Sequence, residues 1–214
     1  MRDESTLHQQ AIRAWPKIHC RLALVRLSEQ KVERFLEGDY TSRDTYSALH
    51  TIEREFPLLL TGGGQKVLRA IAACSLGAPQ ETVAKFLDWR EFEMFCAGLM
   101  RARGFSVAEN IVLTKPRIQV DLLARSHNLA LLVDCKHWGR TMGRSALARA
   151  AAAQAERARV VRSKMKILEP IVVVIIVLSN EEARFVEGTA VVPIFALNRF
   201  LDDVNAFADH LVFF

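Results

Sequence analysis

Apolar residues recur at helical spacing through the first part of the chain. Pro16 can open a helix in which Ile18, Leu22, Val25 and Leu27 lead on to Phe35-Leu36, and Gly38 ends it. Tyr46, Leu49, Ile52 and Phe56 share one face of a second helix, capped within Thr41–Asp44 and stopped by Pro57. The glycine run in Thr61–Lys66 reads as a hinge, because the GxxxxGK[ST] spacing and a preceding strand are both missing. Gln65–Cys74 and Gln80–Leu87 then form two short helices across a glycine turn. The second offers only Gln80, Thr82 and Lys85 to nucleic acid, so the pair reads as structural. Asp88 caps a helix over Trp89–Arg103, and Gly104 ends it. Its apolar arc comprises Trp89, Phe92, Phe95, Cys96, Leu99 and Met100, with Glu93 at the edge and Glu91 on the polar side.

From Phe105 the pattern changes. Phe105–Leu113 reads as a strand, Thr114–Arg117 as a turn, and RIQVDLLARSHNLALLVDCKHW (117–138) as a hairpin turning at Ser126-His127-Asn128. An alanine-rich helix is expected from Ser145 to about Met165, with alanine on its packing face and arginine on the other. IVVVIIVL (171–178) lacks alternation and reads as a strand buried on both faces. A short acidic helix or loop over Ser179–Glu187, a strand over Ala190–Phe195 and a closing helix over Leu197–His210 complete the chain. This order predicts a helical region over residues 1–86 and an α/β sandwich over 87–214.

Composition narrows the class. Half of the 214 residues are apolar and a quarter charged, as in an ordinary soluble globular protein. Cys20, Cys74, Cys96 and Cys135 lie far apart with no CxxC spacing, and read as reduced thiols rather than a disulfide frame or zinc site. The polar N-terminus resembles no secretory signal, and the longest apolar run is far short of a membrane span, so a soluble cytoplasmic protein is expected. Charge is unevenly spread within the net of +5. Residues 136–166 carry nine basic side chains against one acid, Glu156. A block of this kind suits a phosphodiester partner.

That block begins beside three charges set into apolar strands: Asp121, Asp134 and Lys136. Burying charge costs several kcal/mol unless it is paired or holds a metal. Asp134 and Lys136, two apart on a strand, share a face, and an antiparallel hairpin puts Asp121 within reach. Two carboxylates and an ammonium at one point make a site for a hard cation, to which Glu93 is a candidate fourth group.

Glu93 on a helix, Gly104-Phe105, Val120-Asp121, Asp134-Cys135-Lys136 and a basic helix with Gln154 together resemble the PD-(D/E)xK nuclease superfamily. The likeness is greatest to Mrr-like restriction endonucleases and archaeal Holliday junction resolvases, and runs from about Asp88 to Phe207. Val120 stands where the name-giving proline would be, and RIQVD replaces the glycine-rich D-G-G-I-D of the Mrr-like group. The resemblance implies a restriction endonuclease-like α/β/α sandwich with a mixed central sheet, preceded by a small all-helical domain. It implies that Asp121, Asp134 and Lys136 are catalytic, that Glu93 is a further metal or water ligand, and that Gln154 supports them.

Such a site would hold Mg²⁺ or Mn²⁺ through Asp121, Asp134 and the Cys135 carbonyl. Lys136 would orient or deprotonate the attacking water. His137, Arg140, Arg144, Arg149 and Arg157 are the candidate DNA contacts, and Trp138 is read as packing. The expected function is a metal-dependent DNA endonuclease of repair, recombination or restriction, acting as a homodimer. The alternatives are a non-catalytic DNA-binding module and a structural protein with a buried ion pair. The apolar tail Leu211–Phe214 is expected to pack into its own core.

Overall fold

The computed structural model describes residues 29–38, 65–75, 77–137, 143–178 and 184–214. The first part of the helix expected from Pro16 to Gly38, the helix expected around residues 41–56, the glycine run at 62–64, Cys20, Trp138 and Arg140 fall outside them. The chain divides into two compact units, Met1–Gly104 and Phe105–Phe214. The boundary expected at 86/87 falls within the first, just before the cap of its last helix.

In the first unit the described elements are α1 (Glu29–Glu37), α2 (Gln65–Ser75), α3 (Gln80–Ala84) and α4 (Trp89–Ala102). Asp88 starts α4 with a capping box: its carboxylate accepts from Glu91 N–H at 2.8 Å, and the Glu91 carboxylate accepts from Asp88 N–H at 2.8 Å. Glu91 also meets Lys66 of α2 at 3.5 Å. Arg69 donates to the Leu36 carbonyl at 2.8 Å, satisfying an acceptor at the end of α1. Ile71 of α2 lies against Gly98 of α4, where a Cβ would come within 2.5 Å of its terminal methyl. Phe92, Phe95, Cys96, Leu99 and Met100 are buried as the wheel predicts. Trp89 is not: it stands 56% exposed in the first turn of α4, with the Arg90 guanidinium 4.8 Å from its ring centre.

The second unit is a mixed six-stranded sheet in the order β1-β2-β3-β4-β6-β5. The strands are β1 (Ser106–Leu113), β2 (Ile118–Arg125), β3 (Ala130–Lys136), β4 (Ile171–Val177), β5 (Arg184–Val186) and β6 (Thr189–Pro193). β1, β2 and β3 are antiparallel neighbours, whereas β3, β4 and β6 run parallel. Helices α5 (Arg144–Met165) and α6 (Leu197–Asp203) flank the sheet, and a 3₁₀ segment follows over Val204–His210. The fold is thus an α/β sheet with flanking helices, consistent with the restriction endonuclease-like architecture.

Every residue of β4 is buried, which explains its unbroken apolar run. Leu147 of α5 packs with Ile175, Val177 and Val191. Ala158 and Val161, further along the helix, pack with Ala130, Leu132, Ile171 and Val173. Alanine on this face lets the helix lie close to the sheet.

Two features depart from the expected elements. The stretch expected to be a helix or loop contains β5, a three-residue partner of β6 joined by the turn Glu187-Gly188. Both turn residues have positive φ, 49° and 75°, as a two-residue hairpin of right-handed twist requires. Three half-buried residues are too few to show a period, so this strand exists through its pairing. The closing helix also changes at Val204 into a 3₁₀ helix. The C-terminal tail pairs with β4: Phe214 N–H donates to the Ile171 carbonyl, and Ile171 N–H donates to the Phe214 carbonyl, each at 3.0 Å.

Candidate active site

The β2–β3 hairpin forms because apolar strands meet at a polar turn that satisfies its own backbone. Ser126 N–H donates to the Leu129 carbonyl at 2.8 Å, and its hydroxyl bonds to the same carbonyl and to Asn128, each at 3.2 Å. Arg125, at the end of β2, grips Glu169 through two guanidinium nitrogens at 2.7–3.1 Å. From there the antiparallel register runs from Arg125↔Ala130 to Leu122↔Val133. One residue further the side chain replaces the ladder: Asp121 Oδ2 accepts from Cys135 N–H at 2.8 Å. The carboxylate is thereby seated at the end of the β2–β3 ladder.

Asp134 shares its face of β3 with Ala130, Leu132 and Lys136, the face covered by α5. The parallel partner β4 holds it in place, with Asp134 opposite Ile175 and Lys136 opposite Val177. Asp134 is 4% exposed. Its burial is compensated by charge: Lys136 Nζ is 2.8 Å from Oδ2 and 3.1 Å from Oδ1, and Arg157 of α5 approaches Oδ1 at 3.7 Å. The i, i+2 reading of Asp134 and Lys136 thus agrees with the observed ion pair.

Asp121 feels the opposite balance. Burial raises its carboxyl above the usual range, the Cys135 N–H lowers it, and the neighbouring Asp134 charge raises it again, against smaller lowering by Lys136 and Arg157. Two neighbouring carboxylates, one of them costly to ionise, form a donor set that a hard divalent cation would suit. Hard oxygen is what Mg²⁺ and Mn²⁺ select. Among the described residues no group of three or more His, Cys, Asp or Glu side chains could hold a metal, so a ligand set here draws on backbone or water as well.

Gln154 is buried, 3% exposed, on the inward stripe of α5 between Leu147 and Ala158. Cys135 is half-buried at the end of β3, and its amide is the one taken by Asp121. His137, directly after β3, is half-buried. Arg144 and Arg149 are exposed on the first turns of α5. Glu93 belongs to α4 in the first unit and is half-buried there. Arg157, expected among the DNA contacts, lies beside Asp134, a proximity that the sequence reading did not anticipate. The signal was its position three residues after Gln154, on the flank of the inward stripe.

Residues 84–163 match the Mrr_cat family model, described as a restriction endonuclease. The match covers a little over a third of the chain and contains Asp121, Asp134, Lys136, Gln154 and Arg157. This segment is therefore a restriction endonuclease-family domain, consistent with the PD-(D/E)xK nuclease superfamily. No curated protein and no solved structure was found to match the chain. Among the described residues no helix is long and apolar enough to cross a membrane.

Proposed function

We propose that the chain is a metal-dependent DNA endonuclease whose active site is built on Asp121, Asp134 and Lys136. The observation that carries this reading is the convergence of two acidic side chains and Lys136 where the β2–β3 ladder ends, inside the segment that matches the nuclease family. Hydrolysis consumes one water: a P–O bond forms to the water oxygen, the P–O bond to the sugar breaks, and the departing oxygen takes up a proton.

Asp121 and Asp134, with the Cys135 carbonyl, would hold Mg²⁺ or Mn²⁺. When bound, such an ion supplies positive charge beside the phosphoryl oxygens and acidifies water. Asp134 lies 2.8 Å from Lys136 Nζ, so that the ammonium can orient the attacking water or, as the neutral amine, Lys136 can accept its proton. Gln154, buried in the same layer, supports the inward face of α5. His137, Arg140, Arg144 and Arg149 carry the flanking phosphates, and Glu93 is assigned as an additional ligand on the sequence resemblance. Cutting both strands of a duplex calls for two such sites, hence a homodimer in DNA repair, recombination or restriction.

The test is cleavage by the purified chain of linear, branched, flapped, methylated and mismatched DNA with Mg²⁺ or Mn²⁺. Cleavage that disappears on chelation and in Asp134→Ala and Lys136→Ala, with melting curves retained, supports the assignment. Salt-dependent DNA binding that survives Asp134→Ala, with no cleavage of any substrate, would replace it with a non-catalytic binding module.

A further inference from the structure

The cations of α5 do not all do the same work. Arg159 pairs with Glu156 at 2.9 Å and lies over the Phe214 ring at 5.3 Å, while Arg162 donates to the Glu169 and Phe214 carbonyls. Those two fasten the helix to neighbouring chain. Arg144 and Arg149 stand in solvent near the helix start. Arg157 does neither. It reaches a carboxylate that is almost wholly buried, and 40% of its own side chain stays open to solvent.

The distance is informative. At 3.7 Å, Arg157 Nη1 is beyond the 2.7–2.9 Å typical of charge-assisted hydrogen bonds, whereas Lys136 makes contacts of 2.8 and 3.1 Å to the same carboxylate. Lys136 is the committed partner of Asp134. The Arg157 guanidinium is held beside it by charge, with its planar set of N–H donors largely uncommitted to that carboxylate.

We propose that Arg157 is a second basic group of the active site, gripping the non-bridging oxygens of the phosphate that is cut. This rests on the nuclease reading above. Charge balance favours it. Asp121 and Asp134 are matched by Lys136 and Arg157, so the site with a dication carries two net positive charges. A phosphodiester brings one negative charge, and once the attacking water has released its proton to solvent the five-coordinate phosphorus bears two. With Arg157 the charges balance at the transition state; without it one negative charge is left over. The residue therefore acts on turnover more than on binding, as a preorganised donor aimed at developing charge does.

The experiment compares wild type, Arg157→Ala, Arg157→Lys and Arg149→Ala by single-turnover cleavage with Mg²⁺. DNA affinity is measured in Ca²⁺, Mn²⁺ affinity by calorimetry, and folding by melting curves. Arg157→Ala is expected to lower the cleavage rate by about 100-fold or more, with DNA affinity within about tenfold of wild type. Mn²⁺ should bind it at least as tightly, because Asp134 loses a competing cation. Arg157→Lys, which keeps the charge but not the fork, should recover part of the rate, and Arg149→Ala should weaken DNA binding. Cleavage by Arg157→Ala within about threefold of an active wild type overturns the proposal and leaves the nuclease reading standing. So does a loss of cleavage that tracks a loss of Mn²⁺ binding or of the folded state. A wild type that cuts no DNA overturns both.

Discussion

The Asp121 carboxylate accepts a hydrogen bond from the Cys135 amide at 2.8 Å, just beyond Leu122↔Val133, the last paired residues of β2 and β3. A ladder that continued would have used that amide in the β2–β3 pairing. Here it fixes an acidic side chain beside Asp134, at a cost that Asp121 shows as a raised pKa.

That cost gives a signed prediction. A group whose folded-state pKa is raised contributes stability below its ordinary value of 3.8, and loses it as pH rises through the folded value. Asp121→Asn keeps an acceptor for the Cys135 amide and removes the charge. In the metal-free protein the variant should be more stable than wild type at pH 7, with the gap narrowing as pH falls towards 4. Urea unfolding in EDTA across that range measures it. Cleavage by the same variant should be lost.

Lys136→Met should behave in the reverse way without metal. Among the described residues it leaves buried Asp134 with the more distant Arg157 for compensation. A lost hydrogen bond to a charged group costs about 1.5–3 kcal/mol, and the partial exposure of Lys136 places this one towards the lower end. The midpoint of urea unfolding should fall at unchanged m-value, and cleavage should be abolished.

Divalent ions should stabilise the folded chain through the two carboxylates. Mn²⁺ at a hundred times its dissociation constant adds about 2.7 kcal/mol by mass action. A melting temperature that rises with Mn²⁺ in wild type, and does not in Asp121→Ala/Asp134→Ala, is the expected result. An unchanged wild-type melting temperature at millimolar Mn²⁺ would count against a metal site at this position.

DNA affinity should fall with salt. Replacing the exposed Arg144 or Arg149 by alanine should weaken binding to every sequence alike. The slope of log K against log salt should shrink by about 0.9 for each phosphate that is no longer neutralised. Fluorescence anisotropy in Ca²⁺ over a series of salt concentrations reads the slope.

Within the first unit, Gly98→Ala should forfeit much of the roughly 1 kcal/mol that alanine gains over glycine inside a helix, because its Cβ would meet the Ile71 methyl. Ile71→Val in the same chain should recover part of the loss, as measured by thermal unfolding.

Local pattern made much of the second unit legible. β4 announces itself because a strand covered on both faces must be apolar throughout, and Asp134 and Lys136 share a face because strand geometry has a period of two. In the first unit the Asp88 cap was legible too, whereas the reciprocal bond from Glu91 came only with the structure. What stayed hidden depends on partners distant in sequence. β5 is three residues long and is fixed by β6 across the Glu187-Gly188 turn. Trp89 carries the right periodicity and still stands in solvent, since periodicity says which side a residue is on and not whether anything covers it. Arg157 reads as one more arginine of a basic helix until the packing of Ala158 and Val161 against β3 and β4 brings it to Asp134. The sequence alone determined which residues carry charge into the sheet, because burying charge among apolar strands is conspicuous wherever it occurs. Only the tertiary structure decided which of the helix cations answers it, because that depends on how a helix of 22 residues is rotated and seated on the sheet.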